Sequence, residues 1–261
     1  MKRILSILSV ALAFAGCASK PYVIVQIADA QLGFDAAIVY QQNQTEYVDD
    51  LTYEVDCLER AVAEINAIKP DMVIFSGDQV NQHQNENQWN TFISVISKID
   101  PSVKVMHVPG NHDVILAGGE VDTTPFSSRF GEDRFVHEGK GFKVVGFNSN
   151  LIYYDGYAGD ESQREWLRQT LSAGDPDDVC LLFGHHPIFA KGVKLEYLDM
   201  FVENGVDAIY AGHTHCNDYA EFEGIPYRTT TAVGYQLGQD KASIRIITIC
   251  DGEVTDELRE I

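Results

Sequence analysis

The chain has 261 residues and a formal net charge of −20 at pH 7. That charge argues against a nucleic-acid partner, because nucleic-acid binding needs a basic surface that displaces counterions. Beyond the first residues the chain is long enough for one large core, and no Pro/Ser-rich linker, repeat or low-complexity tract divides it. We therefore expect a single domain over residues 17–261.

The N-terminal residues are typical of an export signal. Two basic residues precede an apolar run from Ile4 to Ala15 that is too short to span a bilayer, and small residues stand before Cys17. This pattern resembles a bacterial lipoprotein signal, in which residues 1–16 are removed and the cysteine carries the lipid. Phe14, three residues before the cysteine, departs from the Leu that is usual at that position. An ordinary secretory signal is the alternative. We expect an exported lipoprotein, anchored to the membrane through Cys17, on the periplasmic or cell-surface side.

Four further cysteines follow Cys17, namely Cys57, Cys180, Cys216 and Cys250. In an exported protein they could pair in three ways. However, Cys57 lies on the apolar side of a helical pattern, and Cys180 and Cys250 lie in strand-like runs. Buried free thiols are therefore slightly favoured over disulfides.

The first half of the chain predicts alternating strands and helices. An apolar run over 22–28 predicts a strand, and the next fifteen residues show no hydrophobic period and predict a loop. Apolar residues then recur at three- and four-residue spacing over 51–68 and 89–99, which predicts two amphipathic helices. Each helix precedes a buried strand, at 72–75 and 103–108. This order predicts parallel strands with crossover helices.

The second half predicts a hairpin and further strands. Residues 135–137 and 142–147 form the expected antiparallel hairpin, and a capping box at Ser162 opens a helix through Leu171. The remaining expected elements are a strand at 179–183, a helix at 195–202, a strand at 208–211 and strands at 219–222, 227–232 and 243–250 with a last short one. Mixed sheets flanked by helices follow from this order.

Five of these strands end in polar clusters. The clusters are Asp29 with Gln31, Asp78 with Asn81, Asn111 to Asp113, His185, and His213 with His215. Each cluster by itself is compatible with an ordinary turn, but strand ends are where α/β proteins keep their chemistry. Oxygen ligands mixed with imidazoles suit Mn, Fe, Zn, Co or Ni better than calcium. The candidates outnumber the ligands of one tetrahedral site, so we expect two metal ions.

The same clusters resemble the motifs of a known enzyme superfamily. Asp29-x-Gln31, Gly77-Asp78-x-x-Asn81, Gly110-Asn111-His112-Asp113, Gly184-His185-x-Pro187 and Gly212-His213-x-His215 stand in the order of the calcineurin-like metallophosphoesterases. The chain departs from the common pattern at Gln31, where most of the superfamily has His. Residues 28–33 and 234–238 resemble the branch of calcineurin-like phosphoesterase domain-containing protein 1, whose animal members are described as Ser/Thr protein phosphatases.

This resemblance implies a fold and a ligand set. The implied fold is α/β, a four-layer αββα sandwich of two mixed β-sheets flanked by helices. Two divalent metal ions, Mn, Fe, Zn or Mg, are implied, the first bound by Asp29, Asp78, His215 and Gln31, and the second by Asp78, Asn111, His185 and His213, with Asp78 bridging. An amide oxygen binds transition metals more weakly than imidazole, so Gln31 is expected to weaken the first site or to favour Mn or Mg.

The resemblance also implies hydrolysis of phosphomonoesters by a metal-bridging hydroxide. His112 would be the general acid and Asp113 would orient it. The substrate would be a phosphorylated small molecule or a phosphoprotein. The candidate substrate-binding residues are Asn81, His186, Tyr235 and Gln236. Two alternatives remain: a phosphodiesterase or nucleotide pyrophosphatase with the same centre, and a non-catalytic lipoprotein that binds metal or a phosphorylated ligand.

Overall fold

The computed structural model describes residues 19–44, 46–153, 158–188 and 195–261. The predicted signal and Cys17 lie outside these ranges, so the lipid anchor stays a prediction. Within the described ranges, no helix combines the length and the apolar character that crossing a membrane requires.

The described residues form thirteen strands and seven helices. The strands are β1 (Tyr22–Ile27), β2 (Met72–Ser76), β3 (Lys104–Val108), β4 (Ile115–Ala117), β5 (Glu120–Asp122), β6 (Phe135–Gly139), β7 (Phe142–Gly146), β8 (Val179–Phe183), β9 (Ala208–Ala211), β10 (Asp218–Phe222), β11 (Ile225–Thr229), β12 (Ser243–Cys250) and β13 (Glu253–Glu260). The helices are α1 (Phe34–Asn43), α2 (Thr52–Ile68), α3 (Glu86–Ile96), α4 (Thr124–Phe130), α5 (Asn150–Tyr153), α6 (Asp160–Ser172) and α7 (Leu195–Glu203).

The strands form two large mixed sheets. A five-stranded sheet has the order β13-β12-β1-β2-β3, and a six-stranded sheet has the order β10-β11-β9-β8-β7-β6. Strands β1, β2 and β3 run parallel, as do β7, β8 and β9, which confirms the predicted crossover arrangement. The predicted hairpin of β6 and β7 is antiparallel, as expected. The carboxyl ends of three parallel strands in each sheet thus point to one edge of the protein.

The buried apolar side chains form three layers, and successive side chains of a strand belong to different layers. Val25 on β1 packs with Leu58 of α2 in the outer layer of the first sheet. Its neighbour Ile24 faces the other way and packs with Leu181 of β8 between the two sheets. Helices α6 and α7 cover the outer face of the second sheet in the same way. Because successive side chains of a strand point to opposite faces, this alternation produces the predicted four-layer sandwich.

Helix α1 occupies the segment that was predicted to be a loop. Among its residues only Ala36 is buried, so the sequence carries no apolar period by which a helix is recognised. A contact from α2 attaches its first turn, because the Asp35 backbone N–H donates to the Glu54 carboxylate at 2.7 Å. The helix therefore depends on a tertiary contact that the local pattern does not contain.

Glu54 makes folding stability depend on pH. The residue is fully buried, and burial raises the pKa of its carboxyl from 4.5 to about 7. The folded protein therefore binds more protons than the unfolded chain between these values, so the free energy of unfolding falls as the pH rises through them. We expect Glu54→Gln to abolish this pH dependence. Between pH 5 and pH 8 the free energy of unfolding of the variant should therefore rise by about 2 kcal/mol relative to that of wild type.

Urea denaturation of both proteins at the two pH values measures this difference. Glu59→Gln is the matched control, because Glu59 lies on the same helix with an exposed side chain, where an ion pair contributes little. A Glu54→Gln variant whose free energy of unfolding depends on pH as that of wild type does would contradict the expected role of Glu54.

Two other local predictions are wrong. Helix α6 begins at Asp160 after Gly159, so Ser162 lies in the first turn and does not cap the helix. Acidic residues at 160 and 161 interact favourably with a helix N-terminus, which explains the earlier start. Among the cysteines, Cys57, Cys180 and Cys216 are free. Cys250 is disulfide-bonded, so the preference for a free thiol is wrong at that residue.

Candidate metal centre

The structure brings the predicted ligands together at the edge where the parallel strands end. Asp29 follows β1, Asp78 follows β2 and His185 follows β8. One ligand atom from each of these three residues lies within 4.8 Å of the others. All three are buried. Residues from both sheets thus meet in one polar cluster inside the protein.

Five of the predicted ligands have a left-handed backbone. Their φ angles are 51° at Asp29, 38° at Gln31, 52° at Asp78, 70° at His213 and 53° at His215. This conformation is uncommon for residues other than glycine and costs free energy, so it persists only where the surrounding structure enforces it. Its concentration at these positions is typical of a functional site.

Glycines of the motifs leave room for the carboxylates. A Cβ atom added at Gly110 would lie 2.0 Å from Asp78 Oδ1, and one added at Gly212 would lie 2.4 Å from Asp29 Oδ2. Both distances are far shorter than any van der Waals contact. Each of these glycines is therefore required by a carboxylate of another motif.

Backbone carbonyl groups orient two of the imidazoles. His185 Nδ1 lies 3.0 Å from the Ser76 carbonyl oxygen, and its Nε2 lies 3.1 Å from Asp78 Oδ2. His215 Nδ1 lies 2.6 Å from the Tyr235 carbonyl oxygen. In the tautomer that donates Nδ1–H to a carbonyl, Nε2 carries the lone pair that a metal ion needs. The surroundings thus hold both rings in a ligand tautomer.

The buried charges shift the pKa values in opposing directions. Burial raises the pKa of Asp29. Burial also opposes ionisation of Asp78, but His185 and His112 outweigh it and lower its pKa. Burial alone would lower the pKa of His185, but Asp78 and Asp29 raise it to about 9. Burial, reinforced by His185, lowers the pKa of His213 to about 4. The buried carboxylates and imidazoles compete for protons in this cluster. A bound cation can take the place of those protons.

Two amide oxygens fit a metal site. Gln31 Oε1 and Asn111 Oδ1 are buried and have no hydrogen-bond partner among the described residues. A buried polar atom without a partner costs about 1–3 kcal/mol, and a cation at the site would supply the missing partner. This set of carboxylate, amide and imidazole groups, Gln31 among them, therefore fits divalent metal ions.

His112 is oriented by a group other than the one predicted. Its Nδ1 lies 2.8 Å from the Asn81 carbonyl oxygen, which leaves Nε2 for proton transfer. The Asp113 carboxylate instead accepts hydrogen bonds from three backbone N–H groups in the loops after β2 and β3, at 2.8 to 3.3 Å. The expectation that Asp113 orients His112 is wrong, since that carboxylate braces the loops that carry the ligands.

Two of the predicted substrate-binding residues make contacts within the protein. The backbone of Asn81 donates to the Leu32 carbonyl and accepts from His112. The Gln236 side chain donates to the carbonyls of Ala232 and Gly234 and accepts from Thr231. Gln236 therefore braces its own loop instead of facing a substrate.

The other two candidates lie beside the ligands. His186 is buried, and its ring centroid lies 4.5 Å from that of His213 and 4.4 Å from that of Tyr153, on which it stacks. Tyr235 holds His215 through its carbonyl, and its ring lies 5.7 Å from that of Phe34. Both residues border the candidate metal centre, and their contact with a substrate stays a prediction.

Ser149 is a supporting residue that the sequence analysis missed. Its buried hydroxyl accepts hydrogen bonds from the backbone N–H groups of His185 and His186, at 3.0 and 2.9 Å. Residues 148–150 form a polar cluster directly after β7, which is the same signal that identified the other five strand ends. Interpreting β7 only as part of a hairpin hid this sixth cluster.

Comparisons with known proteins agree with this geometry. A family model described as calcineurin-like phosphoesterase matches residues 22–217. The chain is 27% identical over 252 residues to the serine/threonine-protein phosphatase CPPED1 of Rattus norvegicus, covering 88% of this chain and 80% of that protein. It is 29% identical over 222 residues to a probable cyclic nucleotide phosphodiesterase of a Pseudoalteromonas strain, covering 78% of each. The solved structure of a dimetal phosphatase from Danio rerio matches with a TM-score of 0.65 at 18% identity, over 91% of this chain and 98% of that one.

The matched residues include all seven candidate ligands, and the resemblance predicted from the motifs is confirmed for both the superfamily and the CPPED1 branch. The chain belongs to the calcineurin-like phosphoesterase family and is a metal-dependent phosphoesterase.

Proposed function

We propose that this protein hydrolyses phosphomonoesters at a centre for two divalent metal ions. The observation that carries the proposal is the cluster of buried Asp29, Asp78 and His185 beside the unpartnered amide oxygens of Gln31 and Asn111. The first metal would be held by Asp29, Gln31, Asp78 and His215, and the second by Asp78, Asn111, His185 and His213. When bound, the ions would supply a water of lowered pKa and positive charge against the phosphate.

The protein's own residues would handle the leaving group. To act as the acid, His112 would have to be doubly protonated, because its Nδ1–H donates to the Asn81 carbonyl and the proton to be transferred would lie on Nε2. When the P–O bond of the ester breaks, that proton would pass to the departing oxygen. The backbone N–H of His112 donates to Asp78 Oδ1 at 2.9 Å, which ties the general acid directly to a metal ligand. The position of the His112 ring and the position of the metal ions would thus depend on each other.

A diester substrate is the second candidate. It is favoured by the 29% identity to a relative named as a probable cyclic nucleotide phosphodiesterase. The monoester proposal is supported by the CPPED1 phosphatases, which align over a larger share of this chain. Within the monoester proposal, the substrate is a phosphorylated small molecule or a phosphoprotein.

Elemental analysis of the purified protein, combined with turnover assays, tests the proposal. We expect close to two metal ions per chain, loss of p-nitrophenyl phosphate turnover on chelation, and recovery with Mn, Fe, Zn or Mg. Faster turnover of bis-p-nitrophenyl phosphate than of the monoester would favour the diesterase. One metal ion or none, with no turnover under any ion, would favour a non-catalytic binding protein.

The proposal includes an exported protein anchored through Cys17. Ser19 donates to Asp251, in the turn between β12 and β13, at 2.7 Å. That turn lies at the start of β1, whereas Asp29 lies beyond its other end, about 20 Å away for a six-residue strand. The centre would thus face away from the membrane, towards soluble substrates. Because a lipidated cysteine cannot form a disulfide and Cys57, Cys180 and Cys216 are free, the disulfide of Cys250 would then have to join a second molecule. Mass spectrometry of the membrane fraction should find a lipid on Cys17, and a Cys17 that is free or bonded to Cys250 would contradict the anchor.

A further inference from the structure

An aromatic wall, formed by Phe34 and Tyr235, borders the centre on the side of the general acid. The Phe34 ring centroid lies 6.5 Å from that of His112 and 5.3 Å from that of His215. The Tyr235 ring meets Phe34 edge to face at 5.7 Å and an interplanar angle of 75°. The wall therefore extends from the proton donor to a candidate metal ligand, which is where a leaving group would lie.

The wall leaves part of its apolar surface exposed to solvent. Phe34 and Tyr235 are only partly buried. Tyr53 backs Tyr235 at 6.3 Å and is itself 44% exposed. Aromatic rings that border a cleft favour flat apolar ligands, because such ligands both remove apolar surface from water and adopt the stacked or edge-to-face geometries that rings prefer.

Backbone contacts hold both rings in place relative to the centre. The Phe34 N–H donates to the Gln31 carbonyl at 3.0 Å, and the next N–H of α1 donates to the buried Glu54 carboxylate. Tyr235 is attached through its carbonyl to His215. Both members of the wall are thus bonded to a candidate ligand by the backbone. A surface that is ordered before binding selects ligands at a lower entropic cost.

The charge around the wall favours a neutral leaving group. Neither ring carries a positive charge, and Asp35 directly follows Phe34 at the start of α1. A leaving group with additional phosphates, such as that of a nucleoside polyphosphate, would gain no charge attraction from the two rings. The observations therefore favour an uncharged planar group over an anionic one.

We propose that the aromatic wall of Phe34 and Tyr235 makes this enzyme selective for phosphate esters of alcohols or phenols that carry a flat aromatic ring. This inference rests on the proposed phosphomonoesterase function and names its class of substrate. Phe34 acts in it as a specificity-determining residue and takes no part in the chemical step.

Benzyl, cyclohexylmethyl and ethyl phosphate test the wall, because all three release simple alkoxides and differ in the shape of the carbon group. For the metal-loaded wild type we expect kcat/KM for the benzyl ester to exceed that for the ethyl ester by about tenfold or more, mainly through KM. The cyclohexylmethyl ester should fall between them. Phe34→Ala should lower kcat/KM about tenfold for the benzyl ester and less than about twofold for the ethyl ester.

Two variants and a binding measurement make the test decisive. Phe34→Leu keeps an apolar side chain and should lose most of the benzyl preference, whereas Tyr40→Ala removes an exposed ring from the same helix and should lose none. Calorimetry with benzylphosphonate and ethylphosphonate measures the preference without turnover. If the phosphonate preference holds but no ester is hydrolysed, the proposed function fails and the wall stands. The inference is overturned if wild type binds benzylphosphonate and ethylphosphonate equally well. It is also overturned if Phe34→Ala lowers kcat/KM equally for the benzyl and ethyl esters.

Discussion

Replacing Asp78 with Asn should reduce the metal content to one ion per chain or fewer and lower phosphoester turnover by more than about a thousandfold. Asp78 is the residue that both metal sites are proposed to share, and its Oδ2 lies 3.1 Å from His185 Nε2. Asn keeps the size and one oxygen, but it removes the negative charge that would hold two divalent ions together. The expected loss is therefore one of metal binding and not of folding.

Elemental analysis, turnover and thermal unfolding of the same preparation separate these effects. Asp71→Asn is the matched control, since Asp71 accepts a hydrogen bond from the Val23 N–H at the opposite end of the first sheet. The control should keep both its metal content and its activity. An Asp78→Asn variant with two metal ions and turnover within tenfold of wild type would remove Asp78 from the proposed centre.

Replacing His112 with Ala should lower kcat about 10²–10⁴-fold for alkyl phosphates, while leaving the metal content unchanged. The reason is that an alkoxide is a poor leaving group and needs a proton as the P–O bond breaks. The p-nitrophenolate ion leaves readily without one, so its phosphate ester should lose much less activity. The measured quantity is the ratio of the two losses.

The ratio also distinguishes general acid catalysis from structural support. A merely structural His112 would slow both substrates equally, and that result would exclude it as the proton donor. His137→Ala is a suitable control, because His137 lies on β6 and contacts Tyr22 and Lys104 away from the centre. It should change neither rate.

Much of the architecture was predictable from local sequence patterns. Apolar periods located α2 and α3, and short β-branched runs located β1, β2, β3, β8 and β9 close to their observed bounds. Such patterns work because a buried face repeats every two residues in a strand and about every 3.6 in a helix. Parallel strands then bring their carboxyl ends to one edge. The positions of Asp29, Asp78 and His185 could therefore be inferred without coordinates.

Local patterns failed where a contact from a distant segment decides the structure. Helix α1 lacks an apolar face and depends in part on Glu54 from α2. The family resemblance implied that Asp113 orients its neighbour His112, yet its carboxylate accepts hydrogen bonds from backbone N–H groups in the loops after β2 and β3. Backbone groups have no sequence signature, so the Asn81 carbonyl was not recognised as the partner of His112.

Hydrophobic periodicity and side-chain chemistry were enough to predict the fold class, the order of the motifs and the residue types of the metal centre, because these properties do not depend on contacts between distant segments. The folded structure was needed to show which group orients each imidazole, that Ser149 supports two histidines, and that Phe34 lies beside His112. These are contacts between segments far apart in the chain. Their geometry arises only when both sheets and their helices pack around a common core.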